Sequence, residues 1–236
     1  MSESSQITVI QQRFHKDVQL LKSYSYGPYN KVRGDKQAIR ITEGCPWNCP
    51  NCYEPTEIKI FGIPEIKRNH VLIYDMNLLC KPEALEIIEE LGEKRVNNKV
   101  VYYELVCGID YRFLTQEIAD ALHANRFKKI RLAWDGSYSE QKKIKKAITL
   151  LVNANYKRKE IMLFFLCNYS TVSFEEQLLK LDLAKIWNVK VCDCYFDGCV
   201  FPRVMARYWS MIENKAFRHK VRKHNQLVNF GVDPEI

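Results

Sequence analysis

Ala38-Ile39-Arg40-Ile41-Thr42-Glu43-Gly44-Cys45-Pro46-Trp47-Asn48-Cys49-Pro50-Asn51-Cys52-Tyr53-Glu54 runs a short apolar segment, 38 to 42, directly into a loop with three cysteines spaced C-x3-C-x2-C. Two closely spaced prolines and Gly44 stop both helix and strand there, so the loop folds back and aims three sulfurs inward. Three thiolates in one loop call for a metal, and the count is informative. A structural zinc site is normally closed by four protein ligands, whereas a cubane cluster held by three leaves one iron open for chemistry. Zinc requires a fourth ligand, for which His70 or Cys80 is available. A redox dithiol uses C-x-x-C alone and leaves Cys45 surplus.

Outward from this stretch the chain alternates. Strand-like runs rich in Val, Ile, Leu, Phe and Tyr fall at 38 to 42, 70 to 75, 99 to 107, 129 to 134, 160 to 167 and 188 to 196. Between them, Ala84, Ile87, Ile88 and Leu91, then Ile118, Ala121 and Leu122, then Ile144, Ala147, Ile148, Leu151 and Val152 follow the spacing that gathers apolar groups on one helix face. Ser137 with Glu140 and Ser173 with Glu176 fit capping boxes, Thr115 suits an N-cap, and Pro82 suits a first helical turn. Strand-then-helix units with near-continuous apolar strands imply a parallel sheet covered by helices and wound right-handed. The reading is an α/β fold, a partial (βα)6 TIM-like barrel over residues 38–200. Residues 1–37 form an N-terminal extension and 201–236 a basic C-terminal extension. In the first of these, 13 to 22 suit a short helix, and Tyr24, Tyr26 and Tyr29 surround Gly27-Pro28 and Gly34 in a loop. These tyrosines either pack over one end of the barrel or touch substrate.

The spacing of Cys45, Cys49 and Cys52, on a loop after the first strand, resembles the radical S-adenosylmethionine (radical SAM) superfamily. The resemblance implies that the three sulfurs hold a 4Fe-4S cluster whose fourth iron is chelated by the amino and carboxylate groups of SAM. It further implies reductive cleavage of SAM to a 5'-deoxyadenosyl radical that abstracts hydrogen from a substrate. A low-potential donor, flavodoxin or ferredoxin, then supplies the electron, and the enzyme is oxygen-sensitive. The partial barrel is also the one typical of that superfamily.

In such a barrel functional groups gather at the carboxyl ends of the strands. Those tips read Asp75-Met76-Asn77, Cys107-Gly108-Ile109-Asp110-Tyr111-Arg112, Trp134-Asp135-Gly136, Cys167-Asn168-Tyr169 and Asp197-Gly198-Cys199. The zwitterionic end of SAM needs an acceptor for its ammonium and a donor for its carboxylate, for which Asp75 and Arg112 are the candidates. Asp135 or Asn77 suits the ribose hydroxyls, and Trp134 or Tyr53 the adenine. Many superfamily members carry Gly-Gly-Glu at the second tip, where this chain has Asp75-Met76-Asn77, with a shorter reach. For each Asp the competing role is a helix N-cap or turn, and for Trp134 the core.

Six cysteines lie outside the motif: Cys80, Cys107, Cys167, Cys192, Cys194 and Cys199. Cys192 and Cys194 share a face of the sixth strand by its period of two, and with Cys199 they are the first candidates for a second iron-sulfur cluster. The competing reading is that they are buried core thiols. The formal charge is +8. Arg126, Lys128, Lys129 and Arg131, and again Lys157, Arg158 and Lys159, precede or begin strands and read as solvated faces at the bottom of the barrel. Lys215, Arg218, Lys220, Arg222 and Lys223, with His219 and His224, run without an acidic residue. With Arg203 and Arg207 they form either a phosphate-tracking surface or a capping helix with a basic outer side. The start, Met1-Ser2-Glu3-Ser4-Ser5-Gln6, lacks the pattern of a secretory signal, and the longest apolar run, Ile161 to Cys167, is too short to span a bilayer. The expectation is a cytoplasmic protein with its nine cysteines reduced or metal-bound. Its substrate is a nucleotide or nucleic acid, a peptide, or a partner enzyme that receives a glycyl radical. The reading from another class is a non-catalytic zinc protein that binds nucleic acid.

Overall fold

The computed structural model describes residues 22, 24–49, 52–167, 172–195 and 209–230. They belong to two compact units, one running up to Cys107 and including Ala124–Lys128, the other formed by Gly108–His123 and the chain from Lys129 onward.

The first unit opens with a hairpin. β1 (Tyr29–Arg33) pairs antiparallel with β2 (Lys36–Arg40) around Gly34, whose φ of +58° suits a residue without Cβ. The loop expected over Tyr29 to Arg33 is thus a strand. All five of its residues are exposed, so pairing holds it without any alternation for sequence to show. β3 (Thr42–Glu43) pairs with β4 (Lys59–Ile60), which closes the base of the cysteine loop. β5 (His70–Ile73) follows, then α1 (Ala84–Glu93), the short hairpin of β6 (Arg95–Val96) and β7 (Lys99–Val100), and β8 (Tyr102–Leu105). The sheet order is β1-β2-β5-β8, with β2, β5 and β8 parallel. Its register sets Ile39, Ile73 and Leu105 in one row, all buried. The Tyr103 hydroxyl ties β8 to α1 by donating to the Leu91 carbonyl at 2.6 Å.

In the second unit α2 (Gln116–Ala124), β9 (Ile130–Ala133), α3 (Gln141–Asn153), β10 (Ile161–Cys167), α4 (Phe174–Ile186), β11 (Lys190–Tyr195) and α5 (Met211–Phe230) alternate up to the last strand. The three strands are parallel in the order β11-β10-β9. Along β10 burial alternates residue by residue: Ile161, Leu163, Phe165 and Cys167 point to the closed side. Of the caps read from sequence, Ser173 accepts from Glu176 N at 3.1 Å and the Thr115 hydroxyl from Ile118 N at 3.2 Å, whereas the Ser137 side chain accepts from Ser139 N at 3.2 Å instead of Glu140 N, and Pro82 lies before Glu83, the N-cap of α1. A further capping box, Ser210 with Glu213, starts α5.

α5 covers the open edge of β11. The Asn225 side chain accepts from Val191 N at 2.9 Å and donates to Val191 O at 2.7 Å, mimicking a neighbouring strand, while His224 Nε2 bonds Val189 O. Phe217, Val221, His224 and Val228 are its buried face. The fold is mixed α/β, as read from sequence, and among the described residues its strands form a four-stranded and a three-stranded sheet beside two short pairs, with no closed barrel. Among the described residues no helix is long and apolar enough to cross a membrane. The helix expected at 13 to 22 lies outside the described residues except for Lys22, and Arg203 and Arg207 lie outside them altogether.

Candidate metal centre

The cysteine loop leaves β2 at the end of the sheet where β5 delivers Asp75. Gly44 has φ +95°, and a Cβ there would lie 2.0 Å from the Glu57 carbonyl oxygen, so only glycine makes this turn. Cys45 N donates to Pro55 O at 2.8 Å and Cys52 N to Cys49 O at 3.2 Å, folding the loop onto itself. Buried charges then latch it. The Arg40 guanidinium reaches both Glu54 oxygens at 2.8 and 2.7 Å, and Glu54 also accepts from Gly44 N at 2.8 Å. The buried Lys81 ammonium donates to Gly44 O, and Lys22 donates to Asn48 Oδ1 at 2.6 Å and Cys49 O at 2.8 Å. Arg40, Glu54, Lys22 and Lys81 gave no site signal in the sequence. An ion pair fourteen residues apart in the chain becomes visible only when the loop closes.

Asp75 is buried, and both oxygens are engaged: Oδ1 accepts from Ile41 N at 2.9 Å and Oδ2 from the Thr42 hydroxyl at 2.7 Å. This splits the apolar run 38 to 42 into β2 and β3. Burial pushes the Asp75 carboxyl up to about 6, against the pull of those two hydrogen bonds. Asn77 Nδ2 lies 3.5 Å from Cys45 Sγ. The Cys45 thiol is brought down to about 6, chiefly by a hydrogen bond from the Cys80 side chain, whereas burial pushes Cys52 up to about 11. Cys107, at the tip of β8, is also raised to about 11 by burial, and Asp75, Glu54 and Cys52 are among the groups that act on it. Tyr53 meets the Tyr26 ring edge-on at 5.8 Å, and Arg40 lies 5.4 Å from the centre of that ring. Tyr26 thus touches the loop, and both rings stay exposed.

This donor set suits an iron-sulfur cluster: soft thiols on one loop, one of them already disposed to ionise, backed by a polar frame of Arg40, Glu54 and Lys81. Among the described residues no three His, Cys, Asp or Glu side chains gather on a single-ion site. His70, at the start of β5, sits five residues upstream of Asp75 at about 3.3 Å per residue and is exposed, edge-on to Tyr102. It stays away from the loop, whereas Cys80 adjoins Cys45.

No family model and no curated protein matches the chain. Solved structures do, among them two of TsrM from Kitasatospora setae, a radical S-adenosylmethionine methyltransferase. One, with cobalamin and a 4Fe-4S cluster bound, aligns with TM-score 0.50 at 13% identity over 65% of this chain and 35% of that one. The other, with tryptophan substrate and the SAM analog aza-SAM bound, gives 0.52 at 14% identity over 67% and 35%. The fold is shared with a radical SAM enzyme. This chain spans about a third of the length of those neighbours, 35% in both.

The second unit holds the remaining residues read as a site. Arg112 makes a forked pair with Asp110 at 2.7 and 2.8 Å, and Asp110 also accepts from Arg112 N. Asp135 is open to water, yet enough protein surrounds it that desolvation pushes its carboxyl up to about 6, with Lys180 and Arg112 working against the shift. Trp134 is fully buried, stacked on Trp187 at 5.7 Å and edge-on to Phe165, so its ring is part of the core. The buried Lys180 lies 5.2 Å from the same ring and donates to the carbonyls of Trp134 and Gly136. Cys192 and Cys194 share a face as their spacing requires, with sulfurs 3.9 Å apart. Cys167 pairs with Tyr195 in the register and therefore faces the other side. Cys199, the third thiol named for a second cluster, lies outside the described residues, as do Asn168, Tyr169, Asp197 and Gly198.

Proposed function

We propose that this chain is a radical SAM enzyme in which Cys45, Cys49 and Cys52 hold a 4Fe-4S cluster. One observation carries the reading: a three-thiol loop at the carboxyl end of a parallel strand, clamped by the buried Arg40–Glu54 pair and Lys81. The shared fold supports it. When bound, the cluster supplies one electron for cleavage of SAM, giving the radical that abstracts hydrogen from the substrate.

The protein's own groups have assignable tasks. The Arg40–Glu54 latch keeps the loop closed, and the Asn77 amide and Cys80 thiol face the Cys45 sulfur. Asp75 remains the candidate for the SAM ammonium: a carboxylate offers about four lone-pair sites, and two are used. Asn77 and Asp135 are candidates for ribose hydroxyls and Arg112 for the carboxylate, on chemistry alone. Of the two aromatic candidates for adenine, the exposed Tyr53 is preferred over the core residue Trp134. A flavodoxin or ferredoxin supplies the electron.

For the substrate, a nucleotide or nucleic acid is favoured over a peptide or a glycyl-radical enzyme. Lys215, Arg218, His219, Lys220, Arg222 and Lys223 on α5 are all exposed. Beside them Lys185, Lys220 and Lys223 rim a cavity of about 260 Å³ with Leu227 and Val228 in its lining.

The test is iron and sulfide content after anaerobic purification, followed by dithionite reduction with SAM and an assay for 5'-deoxyadenosine. About four irons per chain and measurable 5'-deoxyadenosine, both lost in Cys49→Ala, are expected. Zinc in place of iron with no SAM cleavage after reconstitution overturns the enzyme reading in favour of the zinc one. For the substrate class, reversing Lys220 and Lys223 to Glu weakens binding of a single-stranded oligonucleotide, and an affinity independent of salt overturns it.

A further inference from the structure

We infer that the open face of the β1-β2-β5-β8 sheet is a docking surface for single-stranded nucleic acid, whose bases stack on its aromatic rings while its phosphates meet its cations. This rests on the nucleic-acid reading above and deepens it, and it involves no cluster ligand. The register decides which side chains share that face. Tyr29 pairs with Arg40, and Tyr74 continues that row across the sheet at the strand tips, its N–H donating to Ile39 O at 2.8 Å. At the opposite end Arg33, Lys36, His70 and Tyr102 pair in turn, and Lys31 and Glu104 close the row between. The other face is shut: Gln37, Ile39, Val71, Ile73, Tyr103 and Leu105 are at most 4% exposed, against 39, 41 and 40% for Tyr29, Tyr74 and Tyr102. Parallel strands are normally covered on both faces, so large rings left open on one of them point to a ligand.

The rings come in two pairs. Tyr29 meets Tyr74 edge-on at 6.5 Å, and His70 meets Tyr102 edge-on at 5.9 Å. His70 and Tyr74 lie four residues apart in the chain, about 13 Å along an extended strand, so one base cannot lie on both pairs whereas successive bases of one strand reach both. Cations are interleaved with the rings. Lys31 and Arg33 are exposed on β1, Lys36 is half-buried on β2, and the Lys128 ammonium stands 6.0 Å from the centre of the Tyr102 ring. Arg40 is not among them, because its guanidinium is engaged by Glu54. Glu104 is the one carboxylate in these rows, at the β8 end. Bases stack on aromatic rings whatever their sequence, and cations alongside follow the backbone, which is how single strands are held. An acidic peptide would meet the cations and leave the rings without planar partners, and a duplex keeps its base faces stacked on one another.

Binding to the full chain is read by fluorescence anisotropy of a labelled oligothymidylate of about twelve nucleotides, a length within the usual site sizes of such surfaces. Tyr74→Ala and Tyr102→Ala should each weaken it about tenfold, and Tyr102→Phe, which keeps the ring, should bind like wild type. Replacing Lys31, Arg33 and Lys36 together by Gln should flatten the dependence of log affinity on log salt by about 2, the loss expected for three phosphate contacts. All five side chains are exposed or half-buried, so thermal unfolding of each variant should match wild type. An affinity unchanged in both alanine variants, or an unchanged salt slope in the Gln variant, overturns the inference. So does polyglutamate that displaces the probe as well as unlabelled oligothymidylate does, which makes the face a site for acidic peptides. The chain with Lys220 and Lys223 reversed to Glu separates this surface from the wider reading. Binding lost there and intact in the sheet variants refutes the sheet surface and leaves the nucleic-acid reading standing; a wild-type chain that binds no oligonucleotide refutes both.

Discussion

The strand tips of the two units are built around the same device with different surroundings. Each has a buried lysine bonded to tip carbonyls: Lys81 to Gly44 in the first, Lys180 to Trp134 and Gly136 in the second. Each also has a carboxyl pushed up to about 6 by desolvation, the buried Asp75 and the more open Asp135. Around Lys81 the partners are a sulfur and, nearby, the Arg40–Glu54 pair; around Lys180 they are the rings of Trp134 and Phe165. A tip stiffened by polar bonds keeps its soft side chains available on the open side. A tip stiffened by aromatic packing commits its largest ring to the core and leaves only polar groups for a ligand. The difference shows why a strand-tip aromatic and a strand-tip cysteine are not equally good site candidates.

Breaking the polar latch should cost most. Glu54→Ala removes the forked partner of the buried Arg40 guanidinium, leaving it the Glu43 carboxylate at 3.7 Å and the Thr42 carbonyl, and a loss of about 3 kcal/mol, the low end for a broken buried pair, is expected by denaturant titration. A loss below about 1 kcal/mol, as at a surface pair, would mean that the latch does not hold the loop. Next comes thiol reactivity in metal-free protein at pH 7. With Cys45 near 6 and Cys52 near 11, iodoacetamide should label Cys45 roughly a hundredfold faster, after the weaker nucleophilicity of the more acidic thiol is allowed for. Equal rates would remove the distinction between the two sulfurs. In the aromatic tip, Lys180→Met strips the donor from two carbonyls and should cost about 1–3 kcal/mol, less than Glu54→Ala. It should also raise the Asp135 carboxyl further above about 6, since a cation that lowers it is gone.

The smallest effect is the pH dependence set by Asp75. Its folded value lies above the ordinary one, so the stability it contributes is fully present below about pH 4 and is lost as pH rises through about 6. The difference in stability between wild type and Asp75→Asn should therefore change across that window and be flat above it. A flat difference throughout would mean that the carboxyl is not desolvated.

Much of this architecture was legible in the chain. The runs at 160 to 167 and 188 to 196 are dense in β-branched and aromatic residues and became β10 and β11, and the spaced apolar residues of 84 to 91 and 144 to 152 lie on α1 and α3. The strand at Tyr29–Arg33 was not legible, because all five residues are exposed and what holds it is backbone pairing, with Asn30 accepting from Gln37 and Tyr29 edge-on to Tyr74. Trp134 illustrates the opposite case: its position at a strand tip suited a cofactor platform, and only the packing of Trp187 and Lys180 against it shows a core residue.

The basic tail reads the same way. Sequence shows that its cations come without acids; the structure adds that Phe217, Val221, His224 and Val228 turn inward and that Asn225 stands in for a missing strand. The helix is thus an edge cover with a basic outer side, the second of the two alternatives.

What the sequence by itself determined is local: the α/β alternation, the three-thiol loop and its expected metal chemistry, the caps and the sign of the charge. Those follow from periodicity and from spacing within a few residues. What the tertiary structure decided is which groups meet across the chain: Arg40 with Glu54, Lys22 with Asn48, Asp75 with Ile41 and Thr42, and Cys80 with Cys45. The reason is physical. A buried charge or thiol takes its meaning from the partner that offsets its desolvation, and the partner's distance along the chain carries no period.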